Sequence, residues 1–273
     1  KENQEQNRQR LLSGRLKQDL LSNYQRASKR LLLLDYDGTL VSFRKKPEQA
    51  KPDQELVEIL KSLTRDTNNR VVVISGRDRN SLSEWLDGTN VDLVAEHGIW
   101  IKERDNADWE STQKGNGEEW KSNIYPVLEV FAERTPGAFI EEKSSALVWH
   151  YRKSEPELGS LRAKELVDTI RVLLNATGLQ VLLGNKVIEV KPVEVNKGKA
   201  STHWLENGEW DFILGMGDDW TDEDIFGVLP EDAWSVKVGF MAYTKARFYL
   251  DSLNDSRDLL KSLAGISEKV TLL

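Results

Sequence analysis

Short runs of apolar residues alternate along the chain with longer segments in which apolar residues recur at helical spacing. The apolar runs occupy residues 30–34, 70–74, 91–95, 212–217 and 234–239. Runs of this length fit strands that are buried on both faces of a parallel sheet. Residues 53–65 and 78–87 each follow one of the runs and have the three- and four-residue apolar spacing of helices. Strands that alternate with helices predict an α/β fold with a Rossmann-like parallel-sheet core.

The pattern changes between residues 109 and 193, where no long and wholly apolar run occurs. Residues 118–134 and 156–177 have helical spacing, and the second of these helices is predicted to bury Leu161, Leu166, Ile170, Val172 and Leu173. Residues 138–152 alternate as in a strand, and residues 179–192 predict two strands joined by a tight turn. Elements in this order favour an antiparallel sheet with helices on one face.

This change of pattern predicts a division into domains. Residues 29–108 and 194–273 are predicted to form the core, and residues 109–193 are predicted to form an inserted α+β cap. Residues 1–28 are polar and predict a linker-like helix with one apolar stripe, made of Leu12, Leu16, Leu20 and Tyr24. Because the sequence opens on a lysine within this segment, we interpret the chain as a piece of a longer polypeptide. Removal of a tag or proteolytic processing is the alternative interpretation.

The composition excludes several classes of function. The net charge of −7 leaves no basic excess with which to bind nucleic acid. The absence of cysteine excludes disulfides and thiolate chemistry. No apolar run approaches the roughly 20 residues of a membrane span, and no secretory signal pattern opens the chain. We therefore expect a cytoplasmic protein without nucleic-acid or membrane partners.

The run of four leucines at residues 31–34 is followed directly by Asp35 and Asp37. Polar residues just beyond the carboxyl end of such a strand lie where open α/β sheets bind their ligands. Residues two apart on an extended backbone point to the same side, so these carboxylates need a cation to offset their repulsion. Mg²⁺ prefers oxygen ligands and also binds phosphate. One carboxylate is then a candidate nucleophile and the other a candidate general acid and base, with an ordinary Asp-Gly turn as the alternative.

Further reactive groups follow the other predicted strands. Ser75 and Arg77 lie between a strand and a helix N-terminus, which suits the binding of an anion. His97 ends the next strand, where a core histidine is the alternative. Lys197 precedes a predicted helix at 200–206, and the fourth apolar run ends at Asp218, Asp219 and, slightly later, Asp222. Each group alone has an ordinary structural explanation, such as a solvated lysine or an acidic helix start. Together, at one edge of one sheet, they supply what phosphoryl transfer needs.

The order and spacing of these groups resemble the four motifs of the haloacid dehalogenase phosphatase superfamily. The matching segments are Asp35-Tyr36-Asp37-Gly38-Thr39-Leu40, Ser75-Gly76-Arg77, Lys197 and Gly217-Asp218-Asp219. Within the superfamily, further segments resemble the trehalose-6-phosphate phosphatases, namely residues 95–98, 141–144, 149–152, 187–192 and 217–226. The resemblance covers about residues 30–263.

The resemblance implies a role for each catalytic position. Asp35 would form an aspartyl-phosphate. Asp37 would protonate the departing sugar oxygen and then deprotonate the hydrolytic water. Ser75 would hold a phosphoryl oxygen, and Lys197 would steady both the phosphate and Asp35.

The same resemblance implies Mg²⁺ as the cofactor, bound by Asp35, Asp218 and the main-chain carbonyl of Asp37. Two further carboxylates would reach the ion through water or support its ligands, those of Asp219 and Asp222. The sugar would be bound by residues of the core and the cap, namely Arg77, His97, Gly98, Glu141, Lys143 and Glu189. A surface ion pair on the cap sheet is the alternative explanation for the cap residues.

The implied reaction is the Mg²⁺-dependent hydrolysis of trehalose-6-phosphate to trehalose and phosphate, with the cap closing over the disaccharide. The enzyme class is then a phosphoric monoester hydrolase. Some family members carry this domain behind a glycosyltransferase that makes trehalose-6-phosphate, so fusion to or association with such a synthase is expected. Two alternatives stay open. One is another capped sugar phosphatase, acting on sucrose-phosphate or a hexose phosphate, and the other is a catalytically silent domain that regulates a synthase.

Overall fold

The computed structural model describes residues 9–44, 47–112, 119–143, 145–174 and 177–266. Its strands are β1 Arg10–Leu11, β2 Arg30–Asp35, β3 Asn69–Ile74, β4 Asp92–Ala95, β5 Trp100–Lys102, β6 Glu110–Ser111, β7 Phe139–Glu142, β8 Leu147–His150, β9 Leu179–Gly184, β10 Val187–Pro192, β11 Phe212–Gly217, β12 Trp234–Val238 and β13 Phe248–Leu250. Its helices are α1 Gly14–Arg26, α2 Gln54–Arg65, α3 Arg79–Trp85, α4 Glu119–Glu133, α5 Pro156–Leu173, α6 Lys197–Glu206, α7 Glu223–Val228 and α8 Leu253–Leu263. Among the described residues, no helix combines the length and the apolar character needed to cross a bilayer.

The chain divides into two compact units, Lys1–Thr112 together with Asn196–Leu273, and Gln113–Val195. The sheet of the first unit has the strand order β1-β13-β12-β11-β2-β3-β4-β5-β6. Along this order, every pair of neighbours from β1 through β13, β12, β11, β2 and β3 to β4 is parallel. Strand β5 pairs antiparallel with β4, and β6 pairs antiparallel with β5 at the edge of the sheet. The predicted α/β class with a parallel-sheet core is confirmed.

Strand β2 lies inside this sheet, between β3 and β11. Its four leucines are fully buried, because helices cover both faces of the sheet. Leu31 and Leu33 pack with residues of α6 and α7 on one face. Leu32 and Leu34 pack with residues of α1, α2 and α8 on the other face. The apolar run therefore forms a central strand whose last residue, Asp35, is buried at the strand's carboxyl end.

Helix α6 begins three residues earlier than the predicted start at Ala200. The side chain of Asn196 caps it by accepting a hydrogen bond of 2.7 Å from the main-chain N–H of Lys199. Lys197 is therefore the first residue of the helix rather than a loop residue. Its position is fixed by the cap, which directs the lysine side chain back towards β2.

The described N-terminal segment is part of the first unit and packs within it. Leu20 and Tyr24 of α1 are buried, and the Tyr24 hydroxyl accepts a hydrogen bond of 2.6 Å from the Asn69 side chain. Before the helix, β1 pairs in parallel with β13, a short strand that the apolar pattern does not predict. Within the described residues, the helix predicted at 1–28 spans only Gly14–Arg26. Residues 1–8 lie outside the described part of the chain.

The second unit contains an antiparallel sheet with the strand order β7-β8-β10-β9 and the helices α4 and α5. The strand predicted at 138–152 is in fact a hairpin. A hydrogen bond of 2.9 Å from the N–H of Lys143 to the carbonyl of Ala146 closes the turn between β7 and β8. Alternation continues through both strands, so periodicity alone does not reveal the turn.

Helix α5 buries a narrower stripe than predicted. Leu166 and Ile170 are fully buried, but Leu161 is 54% exposed, Val172 72% and Leu173 46%. At 3.6 residues per turn, Leu161 and Val172 lie far from the stripe that contains Leu166. Leu173 lies at the exposed C-terminal end of the helix. The prediction that these three residues are buried is wrong.

Residues close to the predicted start of the insertion lie in the first unit. The indole N–H of Trp109 donates to Ser83 Oγ at 3.1 Å, and β6 pairs with β5. The second unit begins at Gln113 and ends at Val195, whereas the predicted cap has limits at 109 and 193.

Replacing Leu166 with alanine is expected to destabilise the second unit by about 2–5 kcal/mol, because it leaves a cavity in a closed core. Leu161→Ala on the same helix is the matched control, and its effect is expected to stay within about 0.5 kcal/mol. Urea unfolding followed by circular dichroism measures both. Equal losses for the two variants would contradict this assignment of the buried face.

Candidate active site

The polar residues predicted at the strand ends meet at one edge of the first unit's sheet. Strands β2, β3, β4 and β11 are parallel neighbours, so their carboxyl ends lie side by side. Asp35 ends β2, Ser75 follows β3, His97 follows β4 and Asp218 follows β11.

Lys197 connects two buried carboxylates at this edge. Its Nζ donates to Asp35 Oδ1 at 2.6 Å and to Asp222 Oδ1 at 2.7 Å. All three side chains are at most 5% exposed. An ion pair this deeply buried holds its members in one geometry, because an unpaired charge there would be costly.

Asp222 holds the loop that follows β11. Its Oδ2 accepts hydrogen bonds from the main-chain N–H of Asp218 at 2.8 Å and of Asp219 at 3.0 Å. The carboxylate of Asp219 caps the next turn by accepting from the N–H and the hydroxyl of Thr221, each at 2.6 Å. Both carboxylates are therefore occupied by contacts within the chain. Among the described residues, the Asp218 carboxylate accepts no such hydrogen bond.

The Asp218 carboxylate lies directly against the loop that follows β2. A Cβ atom at Gly38 would lie only 2.1 Å from Asp218 Oδ2, and Gly38 has a φ of +87°. Only glycine permits both this backbone conformation and this approach. Within the described residues, the buried Asp35 Oδ2 accepts no hydrogen bond. An orphaned carboxylate oxygen beside a second carboxylate is a donor set that fits a hard divalent cation.

One carboxylate oxygen from each of Asp35, Asp218 and Asp222 lies within 4.8 Å of those of the other two. Burial raises the pKa of Asp35 well above its usual range, against the effect of Lys197, and Asp222 and Asp218 add to the rise. Burial, Asp222 and Asp219 raise the pKa of Asp218 to about 7. Burial by itself lowers the pKa of Lys197, but the two carboxylates outweigh it and raise that pKa. The cluster therefore carries an excess of negative charge that a cation would relieve.

The carboxylate of Asp37 lies outside this acidic cluster and is held by Arg77. The guanidinium donates two hydrogen bonds to it, from Nε to Oδ2 at 2.8 Å and from Nη2 to Oδ1 at 2.6 Å. The Trp85 ring lies against the guanidinium, 4.9 Å from its Cζ to the ring centroid. Arg77, predicted to contact sugar, is placed by these contacts on Asp37.

Ser75 is 1% exposed, and its Oγ accepts a hydrogen bond of 3.1 Å from the N–H of Arg77. The N–H of His97 donates to the Ser75 carbonyl, and the N–H of Glu96 donates to the Arg77 carbonyl, both at 2.9 Å. Glu96 and His97 both have positive φ, of 52° and 58°. Two adjacent non-glycine residues in this region are strained, and these two hydrogen bonds hold them there. Gly98 follows them and packs against the carbonyl of Asn196.

The other predicted sugar contacts lie in the second unit. Glu141 of β7 and Glu189 of β10 are both in register with Val148 of β8, so their side chains share one face of that sheet. Glu141 Oε2 is 2.7 Å from His150 Nε2. The main-chain carbonyl of Lys143 accepts from Lys121 Nζ at 2.7 Å. The roles of Glu141, Lys143 and Glu189 towards a sugar stay predictions.

Lys237 is not among the predicted site residues, although it contacts the same loop. It is 1% exposed, and its Nζ donates to the main-chain carbonyl of Asp219. A single charged residue within the apolar run 234–239 is the sequence signal that marks it. The Arg77–Asp37 pair, by contrast, was not predictable, because the two residues are brought together only by the pairing of β2 and β3 in the sheet.

A mostly parallel sheet with carboxylates at the ends of two adjacent strands, a lysine on a following helix and an inserted α+β unit defines a phosphatase of the haloacid dehalogenase type. Fold similarity extends to a haloacid dehalogenase-like hydrolase from Bacteroides thetaiotaomicron, with a TM-score of 0.63 at 13% identity. Residues 33–252 match the model of the family described as trehalose-phosphatase. The chain belongs to this family.

Relatives and solved structures agree with this assignment. The chain is 39% identical over 252 residues to alpha,alpha-trehalose-phosphate synthase [UDP-forming] B of Dictyostelium discoideum, covering 90% of this chain and 32% of that protein. It is 39% identical over 241 residues to trehalose-phosphatase of Saccharomyces cerevisiae, covering 80% of this chain and 27% of that protein. The chain thus spans about a third of the length of such relatives.

Two solved structures match nearly the whole chain. The C-terminal domain of trehalose-6-phosphate phosphatase from C. albicans has a TM-score of 0.78 at 31% identity, covering 95% of this chain and 99% of that one. The Aspergillus fumigatus trehalose-6-phosphate phosphatase has a TM-score of 0.78 at 35% identity, covering 95% and 100%. The predicted family and hydrolase class are confirmed.

The affinity for Mg²⁺ is expected to rise with pH through about 7. Below that pH a proton occupies Asp218, whose pKa is about 7, and competes with a cation; above it the carboxylate is free to bind. Calorimetric titration with MgCl₂ on either side of neutrality measures the affinity at each pH. The Asp218→Asn variant is expected to lose the pH dependence of this affinity. Tighter binding on the acidic side would contradict this expectation.

Proposed function

We propose that this chain hydrolyses trehalose-6-phosphate to trehalose and phosphate. The observation that carries the proposal is the state of Asp35, whose Oδ1 is held by Lys197 while its buried Oδ2 has no hydrogen-bond partner in the described residues. Membership of the trehalose-phosphatase family and relatives named for this activity support the choice of substrate.

In this proposal Asp35 is the nucleophile. One of its carboxylate oxygens forms a bond to phosphorus while the bond from phosphorus to the sugar oxygen breaks, which gives an aspartyl-phosphate. The grip of Lys197 on Oδ1 fixes the plane of the carboxylate, so the attacking oxygen is already oriented. Water then attacks the phosphorus and releases phosphate from Asp35.

Asp37 moves the protons of both steps. It gives a proton to the departing sugar oxygen and later takes one from the attacking water. The two hydrogen bonds from Arg77 set the orientation of its carboxylate.

Ser75 and Lys197 hold the phosphoryl oxygens. The Ser75 Oγ already accepts from the N–H of Arg77, so its own hydroxyl proton is left to donate to phosphate. The Lys197 ammonium places a positive charge where negative charge develops.

Asp35, Asp218 and the main-chain carbonyl of Asp37 are the proposed ligands of Mg²⁺. When bound, the ion supplies positive charge that neutralises the phosphoryl oxygens. Asp222 and Asp219 act on the loop that presents Asp218, because their own oxygens accept hydrogen bonds from the chain.

A sugar-binding part completes the proposed site. From the first unit it includes Arg77, His97 and Gly98, and from the second unit it includes Glu141, Lys143 and Glu189. A trehalose-6-phosphate synthase, in the same polypeptide or in a complex, is the proposed source of substrate, in line with relatives named as synthases or as bifunctional synthase/phosphatase. A cytoplasmic setting is part of the same proposal.

The variant Asp35→Asn is expected to lower turnover by roughly three orders of magnitude or more, because it removes the nucleophile with little change of shape. Phosphate release measures the loss, and circular dichroism checks the fold. Asp19→Asn, on the exposed face of α1, is the control and is expected to keep full activity. Substantial turnover by a folded Asp35→Asn protein would show that another group attacks phosphorus.

A panel of sugar phosphates tests the substrate. We expect kcat/KM for trehalose-6-phosphate to exceed that for sucrose-6-phosphate and glucose-6-phosphate by at least about tenfold, in the range that pocket contacts commonly give. Chelation of Mg²⁺ is expected to stop the reaction and re-addition to restore it. Equal rates on the three substrates would favour a general sugar phosphatase, and no turnover at all would favour a regulatory domain.

A further inference from the structure

Lys237 is a buried cation that the proposed reaction does not use. Its relative exposure is 1%, which places it among the largest fully buried side chains of the described residues. On β12 the residues on either side of it, Val236 and Val238, belong to the core on one face of the sheet. Side chains alternate along a strand, so Lys237 faces the opposite side.

That side is the one that carries the acidic cluster. Lys237 is in register with Gly217 on the neighbouring strand β11, so side chains at these two positions share a face. A Cβ at Gly217 would lie 2.3 Å from the Cβ of Asp222. Lys237 and Asp222 therefore lie on the same face, next to the loop that contains Asp218.

The contacts of Lys237 join it to this loop. Its Nζ donates to the main-chain carbonyl of Asp219 and lies 3.6 Å from Glu223 Oε1. Glu223 is itself fixed, because it accepts from the hydroxyl of Thr244 and the N–H of Lys245, each at 2.6 Å. The Lys237 ammonium is therefore held between the main-chain carbonyl of Asp219 and the carboxylate of Glu223.

The turn at Asp218-Asp219 is consequently held from two sides. Asp222 accepts from both of its main-chain N–H groups, and Lys237 donates to the Asp219 carbonyl. Lys197 lies on the other side of Asp222. Burying a lysine costs free energy unless its charge and donors are satisfied, and here Glu223 and the Asp219 carbonyl provide those partners.

We propose that Lys237 is a positioning residue for the divalent cation: it fixes the turn that presents Asp218. The inference rests on the proposed function only in taking Mg²⁺ as the ion. The competing explanation is that Lys237 merely neutralises Glu223.

Titration of the whole protein with Mg²⁺ alone, by calorimetry and without substrate, tests the proposal. Lys237→Met keeps the length and apolar stem of the side chain but loses its charge and donors. We expect its Mg²⁺ affinity to fall by about 10–100-fold, as for residues that support metal ligands. Lys237→Arg is expected to recover most of the affinity, and Lys245→Met, which removes an exposed lysine nearby, is expected to leave it unchanged.

A kinetic split and a double variant separate positioning from simple charge balance. At saturating Mg²⁺, the KM of Lys237→Met for the sugar phosphate is expected to stay within about twofold of wild type, while the Mg²⁺ concentration for half-maximal rate rises with the loss of affinity. If Lys237 only neutralises Glu223, adding Glu223→Gln to Lys237→Met restores Mg²⁺ binding. In our proposal, the double variant binds Mg²⁺ as weakly as Lys237→Met does.

Wild-type Mg²⁺ affinity in a folded Lys237→Met protein would overturn the inference, as would absence of Mg²⁺ binding by the wild-type chain. If Lys237→Met does not fold, Lys237→Gln takes its place, since its polar side chain is shorter and does not reach the Asp219 carbonyl as lysine does. Its affinity is expected to fall at least about threefold, and an unchanged value would overturn the inference. Because the titration contains no sugar phosphate, its outcome is independent of whether trehalose-6-phosphate is the substrate.

Discussion

Lys197 links two parts of the chain whose carboxylates would otherwise repel each other inside the protein. Its ammonium contacts Asp35 at the end of β2 and Asp222 beyond the end of β11. The Asn196 cap fixes the start of its helix, so the lysine reaches the sheet edge without a flexible loop. The acidic cluster of the candidate site depends on this contact. Without it, two carboxylates would be buried without the ammonium that they share.

The remaining polar contacts place chemically similar aspartates in different surroundings. Several aspartates lie at or beyond the ends of β2 and β11, yet their surroundings differ: Asp222 and Asp219 hold the backbone, Asp37 is held by Arg77, and Asp218 is left open beside Asp35. Chemically identical side chains thus receive different tasks from the groups that contact them. Within the described residues, the donors around each carboxylate distinguish Asp222 and Asp219, which hold the backbone, from Asp35, which keeps an oxygen without a donor.

Most of the core and the strand-end residues of the site were predictable from the sequence. Buried parallel strands leave a strong signal, and the carboxyl ends of such strands must share an edge, so Asp35, Ser75, Lys197 and Asp218 could be grouped by their positions along the chain alone. The strands β1 and β13 were not predictable, because two or three residues carry no periodicity. The hairpin of β7 and β8 was not predictable either, because apolar and polar residues alternate through both strands without a break. The contact of Lys237 with Asp219 depends on the register of two strands, which the sequence does not state.

Asp35 and Lys197 are 162 residues apart, because the second unit interrupts the first. During translation the leucine strand therefore leaves the ribosome long before β11, the neighbour that completes its hydrogen bonding. The insertion is continuous in sequence and has its own core, so it can fold while the first unit is still incomplete. Closing so long a loop is slow and costs entropy. Until then, the β11-facing edge of the leucine strand has no partner, and an apolar strand edge of this kind favours aggregation of the nascent chain.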